Sequence, residues 1–325
     1  MSSAEEISTP NSKAALPELL QIGPLPPGLV ALLTPHYRLH PLWLEADRAG
    51  FTKAHVGRFA GGVTMSRHGC DAATMACLAG SVVACFGVGF EGLDLAAARR
   101  HAVAVSTTPD VLTDCVADIA FGLVLATARQ IVAADRFVQA GRWPAGMFPL
   151  ATKVSGKRMG IVGLGRIGAA IARRATGFDM VPRYHGRHAQ PAAPYGFEPD
   201  LAALARWADF LVVACRGGPE THHLVSAGVI EALGPAGFLI NIARGSVVDE
   251  AALADAVQRQ AIAGAGLDVF ENEPQVPAAL LGNDRVVVLP HVAAGTRETR
   301  AAMEQLVLDN LQAFFRTGQV ATPPA

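Results

Sequence analysis

The chain has 325 residues, 51% of them hydrophobic and 17% charged, which is enough to bury more than one core and points to two domains. A formal net charge of −1 leaves no electrostatic footprint for nucleic acid, and no basic tract is shaped for a membrane surface. Five cysteines, odd in number and without C-x-x-C spacing, argue for a reducing, cytoplasmic compartment and against a disulfide framework or a zinc site.

The first 14 residues, MSSAEEISTPNSKA, are polar and lack the apolar core of a secretion signal; they read as a disordered leader. Short β-like runs then alternate with helical stretches, the pattern of parallel α/β architecture. Strands are predicted at 18–22, 37–42, 62–65, 81–86 and 103–105, with helices at 72–78 and 93–100 among them. The apolar run over 112–129 predicts a buried helix. Its most apolar part, Val116–Ala128, contains Asp118 and is too short to cross a bilayer, so no membrane partner is expected.

After a loop over 141–156 a second series begins, with strands at 158–162, 180–184, 210–214, 238–242, 263–269 and 286–289. Six strands with helices between them make a Rossmann-sized, doubly wound unit. Ser226 is placed to N-cap a helix over 227–233 that Gly234-Pro235 ends, and Asp249 to N-cap another over 250–260. A long helix over 297–315 and a polar tail close the chain. The expected division is a dinucleotide-binding domain of residues 108–290 inserted in a smaller, flavodoxin-like substrate domain of residues 15–107 and 291–325.

GIVGLGRIG (160–168) carries Gly163, Gly165 and Gly168 in G-x-G-x-x-G spacing. In a glycine-rich chain the triplet alone is weak, but an apolar strand precedes it and a helix follows. Gly163 then permits the tight turn, Gly165 lets backbone N–H groups reach a pyrophosphate, and Gly168 allows close helix–strand contact. A glycine-rich turn with no ligand is the blander reading. Downstream, RYHGRHAQ (183–190) holds Arg183, His185, Arg187 and His188 without a carboxylate. The end of the second strand is where an acid would accept the ribose hydroxyls of NAD. Here the position falls at Gly186, followed by Arg187 and His188, an arrangement suited to clasp the 2′-phosphate of NADP. NADP(H) is therefore expected to be preferred, with NAD(H) still usable. The alternative is a solvated basic loop.

Three motifs follow at later strand ends, where an open α/β sheet places its ligands. NIARGSVVDE (241–250) puts Arg244 directly after a strand; GLDVFENEP (266–274) has Asp268 on a strand and Glu273 beyond it; LPHVAAGT (289–296) has His291 just past the last strand. Singly, each could be a helix-end cation, a solvated acid or a turn residue. Together, behind a dinucleotide loop, they suggest one site. The ten histidines are otherwise scattered, and adjacent His222 and His223 lack H-E-x-x-H context, so no metal is expected.

These motifs, with FGVG (86–89) and TPDVLTDCVAD (108–118), resemble the D-isomer-specific 2-hydroxyacid dehydrogenases over nearly the whole chain, most of all the NADPH-dependent glyoxylate/hydroxypyruvate and hydroxyphenylpyruvate reductases. The resemblance implies hydride transfer to the ketone carbon of a 2-oxo acid, giving a D-2-hydroxy acid. His291 matches the proton donor, and Glu273 its partner, which orients the ring and keeps a negative charge beside the imidazolium. Arg244 matches the residue that binds the substrate carboxylate, and the backbone amides of Val88 and Gly89 would hold its other side. Leu164, Arg166 and Ile167 of the glycine loop, Cys215, Arg216 and Thr221 after the third strand, and Ile242 and Ala243 before Arg244 fall at cofactor positions. Asp268 matches a residue that hydrogen-bonds the nicotinamide amide.

Two departures matter. Arg216 stands where the family commonly has proline and could add to 2′-phosphate binding; Ala294 stands where many relatives have serine, removing one substrate contact. Glyoxylate and hydroxypyruvate are the leading substrates implied, with aryl pyruvates behind them. Formate-oxidising relatives carry Gln in place of Glu273, and phosphoglycerate dehydrogenases commonly continue into a regulatory domain. Ser66–His68, Arg142 and Trp143 are expected at the pocket mouth, Trp143 equally as an interface anchor. The helix around Val116–Leu125 is expected to be buried in a homodimer. The rival from another class is a nucleotide-sensing corepressor-like protein with little turnover.

Overall fold

The structure, a computed structural model, describes residues 15–324; the expected leader lies outside the described residues. The described residues divide into two compact units, one made of those up to Thr108 and from Glu304 onward, the other of Pro109–Met303.

In the first unit, β1 (Glu18–Gln21), β2 (Arg38–Pro41), β3 (Gly61–Met65), β4 (Val82–Phe86) and β5 (Ala104–Ser106) form one parallel sheet in the order β2-β1-β3-β4-β5. That is the flavodoxin-like doubly wound order. Between the strands run α1 (Pro27–Leu33), α2 (Arg48–Ala54), α3 (Ala72–Cys77) and α4 (Leu95–Arg100). Three of these start on an aspartate whose carboxylate accepts an orphan amide of the first turn: Asp47 from Gly50, Asp71 from Thr74, Asp94 from Ala97. The helices press Met75, Leu78 and Ala97 onto Leu20, Val83 and Val105 of the sheet, and every residue of β4 is buried.

The second unit opens with α5 (Thr113–Ala128) and α6 (Ile131–Gln139), then alternates strand and helix except between β7 and β8 and between β11 and β12. Its elements are β6 (Arg158–Val162), α7 (Arg166–Thr176), β7 (Val181–His185), β8 (Gly196–Phe197), α8 (Leu201–Trp207), β9 (Phe210–Val213), α9 (Ala227–Leu233), β10 (Phe238–Asn241), α10 (Glu250–Gln258), β11 (Gly264–Leu267) and β12 (Val286–Val288). All seven strands are parallel, in the order β12-β11-β10-β9-β6-β7-β8. The sheet starts at β6, grows one way to β8, then returns to add β9 on the other side of β6. That reversal is a topological switch point, where such sheets bind ligands. The seventh strand, β8, is too short to read in the sequence. The strands at the centre, FLVV, FLIN and GAGL, are buried on both faces, as helix-covered parallel strands must be.

Two sequence expectations need correction. The second domain boundary falls at Met303–Glu304, inside α11 (Arg297–Thr317), rather than at His291. The physical reason is that the backbone of residues 291–293 is tied to Asp268 of β11's loop by three hydrogen bonds, so this stretch belongs with the second unit. Ser226 occupies the N-cap position of α9 but its side chain makes no capping bond, whereas Asp249 caps α10 by accepting from Ala252 as expected.

Most of the apolar side chains of α5 are covered within the unit itself. Val116, Ala117, Ala120, Phe121, Leu123 and Val124 are buried within the unit, against β10, β11 and α7. Gly266 makes this possible: a side chain there would press on Leu123 and Thr127. Exposed apolar side chains come later, at Ile131 and Val138 of α6 and at Trp143, Met147 and Leu150. Arg142 stacks its guanidinium on Phe137. Among the described residues no single helix is long and apolar enough to cross a membrane.

Candidate active site

β6 runs into the glycine loop at the switch point, and each glycine has a separate reason. Gly163 has φ 96°, and a Cβ on it would sit 2.6 Å from the Cα of Cys215. Gly168 lies so close to the Gly163 carbonyl that a side chain would overlap it, which brings α7 down onto β6. Gly165 is the N-cap of α7, and a Cβ there would touch nothing. No side chain caps α7, so its first-turn N–H groups are left for an anion approaching that open side. These features fit the pyrophosphate of a dinucleotide. Leu164 is buried; its carbonyl accepts from the Gln190 side chain, whose backbone N–H donates to the Tyr184 hydroxyl. Gln190, missed in the sequence, thus ties the glycine loop to the end of β7. Arg166 pairs at 2.7 Å with Asp110, and Ile167 follows it in the first turn of α7.

The basic stretch after β7 separates into two pairs. Arg183 stacks on Trp207, 4.3 Å from the ring centre, and His185 bonds the Glu198 carbonyl, so both are structural. Gly186 has open space around its Cα, and Arg187 and His188 are exposed with no carboxylate beside them in the chain. After β9, burial pushes the Cys215 thiol up to about 11, which makes it a packing residue of the turn rather than a nucleophile. Thr221 donates its hydroxyl to the carbonyls of Arg216 and Gly218, closing the loop that exposes Arg216.

The three chemical residues stand on three loops of the same unit. Ile242 and Ala243 are buried after β10, and Asn241 shapes the turn by accepting from the Ala243 amide and donating to the Arg244 carbonyl. Arg244 follows, half-buried, its guanidinium donating to the Ala243 carbonyl at 2.7 Å. Gly245 lies against the backbone of Phe270 and Glu271 with no room for a Cβ. That contact lets the Arg244 and Glu273 loops touch. Glu273 accepts from the Phe270 amide at 3.2 Å and from His291 Nδ1 at 2.8 Å. Burial alone would raise its pKa, but the hydrogen bond and charge of His291, the Phe270 amide and the Arg244 charge outweigh burial and hold it below the usual value. Glu273 is therefore a carboxylate, which can only accept, so Nδ1 carries the proton of that bond and Nε2 is the ring atom left for substrate.

His291 has left-handed backbone, φ 54°, unfavourable for a non-glycine residue by about 1 kcal/mol. Asp268 offsets this. Its carbonyl accepts from the His291 amide, and its two carboxylate oxygens accept from Val292 at 2.8 Å and Ala293 at 2.9 Å. Asp268 has no solvent exposure, and burial sets its pKa above the usual carboxylate range despite those amides. The role its geometry displays is to hold the histidine turn; a contact to nicotinamide would have to use the remaining lone pairs.

In the first unit, Val88 and Gly89 follow β4 through Gly87, at φ 139°, whose amide and carbonyl are both held by Thr108. Ser66 packs at the Cα of Gly87. His68 receives a hydrogen bond from Arg67, and burial, then the Arg67 charge, lowers its pKa.

With this geometry in view, similarity to known proteins is specific. The profile of the D-isomer specific 2-hydroxyacid dehydrogenase NAD binding domain matches residues 121–293. A hydroxyphenylpyruvate reductase from Plectranthus scutellarioides is 44% identical, and a 2-ketogluconate reductase from Gluconobacter oxydans 42%, each over 94% of this chain and 98% of its own. Among solved structures, an NADPH-dependent glyoxylate/hydroxypyruvate reductase from Sinorhizobium meliloti, in complex with NADP and malonate, superposes with a TM-score of 0.87 at 40% identity, covering 96% of this chain and 97% of that one. The chain is an α/β oxidoreductase with a nicotinamide-dinucleotide-binding domain. It belongs to the D-isomer specific 2-hydroxyacid dehydrogenase family.

Proposed function

We propose that the protein is an NADPH-preferring reductase of small 2-oxo acids, glyoxylate and hydroxypyruvate first, giving D-2-hydroxy acids. The observation that carries this reading is the His291–Glu273 pair, with its free Nε2, sharing the electrostatic field of Arg244. A bound nicotinamide dinucleotide supplies the hydride. Gly163, Gly165 and the first turn of α7 would take its pyrophosphate, and Arg187 and His188 its 2′-phosphate.

His291 holds a proton on Nε2 and releases it to the oxygen that was the ketone, while Glu273 keeps the ring oriented. Arg244 offers a planar fork to the planar carboxylate. In the first unit, the backbone amides of Val88 and Gly89 are proposed as carboxylate donors. A cytoplasmic homodimer is the proposed setting; the free cysteines and the exposed apolar residues from Ile131 to Leu150 support it. The family's oxidoreductase chemistry leaves the corepressor-like alternative without support.

An aryl pyruvate is the second reading, favoured by the 44% identity to a relative named hydroxyphenylpyruvate reductase. The test is kcat/KM on glyoxylate, hydroxypyruvate, 2-ketogluconate and hydroxyphenylpyruvate, each with NADPH and NADH. A clear NADH preference overturns the cofactor assignment. Best turnover on the aryl acid moves the substrate to the second reading.

A further inference from the structure

We propose that His222, His223 and Glu271 form a binding site for one divalent transition cation, with Zn2+ the best match. The three donors are a cluster the sequence hides, because Glu271 lies 48 residues beyond His223. Nε2 of His223 is 3.1 Å and Nε2 of His222 is 3.4 Å from the same Glu271 oxygen, and all three donor atoms lie within 4.8 Å of one another. A tetrahedral ion with bonds of about 2.0–2.1 Å needs donor separations of about 3.4 Å. Two imidazoles and a carboxylate are a donor set suited to Zn2+, with a fourth position open to water.

Adjacent residues of an extended chain point their side chains to opposite sides. Here the left-handed backbone of His223, φ 48°, turns both rings the same way, and they stack with centroids 3.9 Å apart. The donors stand on anchored backbone: the His223 amide donates to the Ser246 carbonyl, and the Glu271 amide to the Glu250 carboxylate. Side chains of His222, His223 and Glu271 keep 56%, 35% and 27% exposure, so an ion can reach them. Ser246 is two residues past Arg244 and Glu271 two before Glu273, so a bound ion would fasten the 222–223 turn to both loops.

The experiment uses the full, tag-free chain after dialysis against chelator. Calorimetric titration with ZnCl2 is expected to give one ion per chain. His222→Ala and Glu271→Gln should each weaken binding by more than about tenfold, since loss of even an outer partner of a metal site costs that much. His222 is half exposed, so His222→Ala should melt like the parent without metal and lose the rise in Tm that Zn2+ gives the parent. Co2+ should give the visible bands of a tetrahedral ion in the parent and not in either variant. Absence of stoichiometric binding, or binding and Co2+ bands unchanged in both variants, overturns the proposal and leaves the three side chains as an ordinary ion pair.

Discussion

His291 Nδ1 lies 2.8 Å from Glu273 Oε2, and the histidine reaches that position from a left-handed backbone that Asp268 holds in place. The pair joins the loop after β11 to the loop after β12, neighbouring parallel strands. Strand order, rather than sequence distance, brings acid and imidazole together.

Removing the imidazole should abolish proton delivery and spare cofactor binding. His291→Ala is expected to lower kcat by about 10²–10⁴-fold with NADPH affinity nearly unchanged, read by steady-state rates and fluorescence titration. Glu273→Gln keeps an acceptor but not the charge, and should lose about tenfold or more. Unchanged turnover in His291→Ala would refute its role.

Arg244 should act on the substrate carboxylate through geometry as well as charge. Arg244→Ala is expected to cost about 10²-fold in kcat/KM, equivalent to about 3 kcal/mol. Arg244→Lys keeps the charge without the fork and should recover little. Full rescue by lysine would mean that a point charge suffices.

Asp268 predicts a combined loss of stability and activity. Asp268→Ala leaves the buried amide of Ala293 unpaired, at about 1–3 kcal/mol, releases the part-buried amide of Val292 and frees the His291 turn. A lower urea midpoint together with impaired turnover is expected. A variant that loses activity at unchanged midpoint would instead favour a direct contact to cofactor.

Arg187 tests the cofactor reading separately. Arg187→Ala should raise KM for NADPH by roughly tenfold to a hundredfold, the scale of one charge-assisted hydrogen bond, and leave KM for NADH where it was. Equal effects on both cofactors would contradict a 2′-phosphate contact.

Acid stability should depend on Asp209, whose carboxylate accepts from the Arg158 amide and guanidinium. Burial would raise its pKa, but the Arg158 hydrogen bonds and charge bring it below the ordinary value. A depressed folded-state pKa stabilises above the unfolded pKa, and the contribution is lost as pH falls through the folded one. Asp209→Asn should therefore cost about 1 kcal/mol at neutral pH and nothing in strong acid, measured by urea unfolding across pH. A constant difference at every pH would exclude this origin.

Much of the site was legible because its chemistry is local. Gly163, Gly165 and Gly168 have the roles their spacing implies: a positive φ, an open approach, and a helix seated on a carbonyl. The other half of the expected cation knot was misleading. Alternation along β7 puts Arg183 on the Trp207 ring and His185 on a carbonyl, contacts that spacing within eight residues cannot reveal. Gln190, Asn241 and Gly245 escaped notice because their work is to hold another loop's backbone, and such partners are named only by the fold.

By itself, the sequence determined the alternation of strand and helix, the glycine loop and the candidates Arg244, Glu273 and His291. Hydrophobic period, turn residues and functional groups are properties of short segments. Tertiary structure alone decided the boundary within α11, the clamp of Asp268 on residues 291–293, and the meeting of His222 and His223 with Glu271. Those outcomes depend on parallel pairing that sets distant strand ends side by side, and pairing is fixed only when every buried face has found its partner.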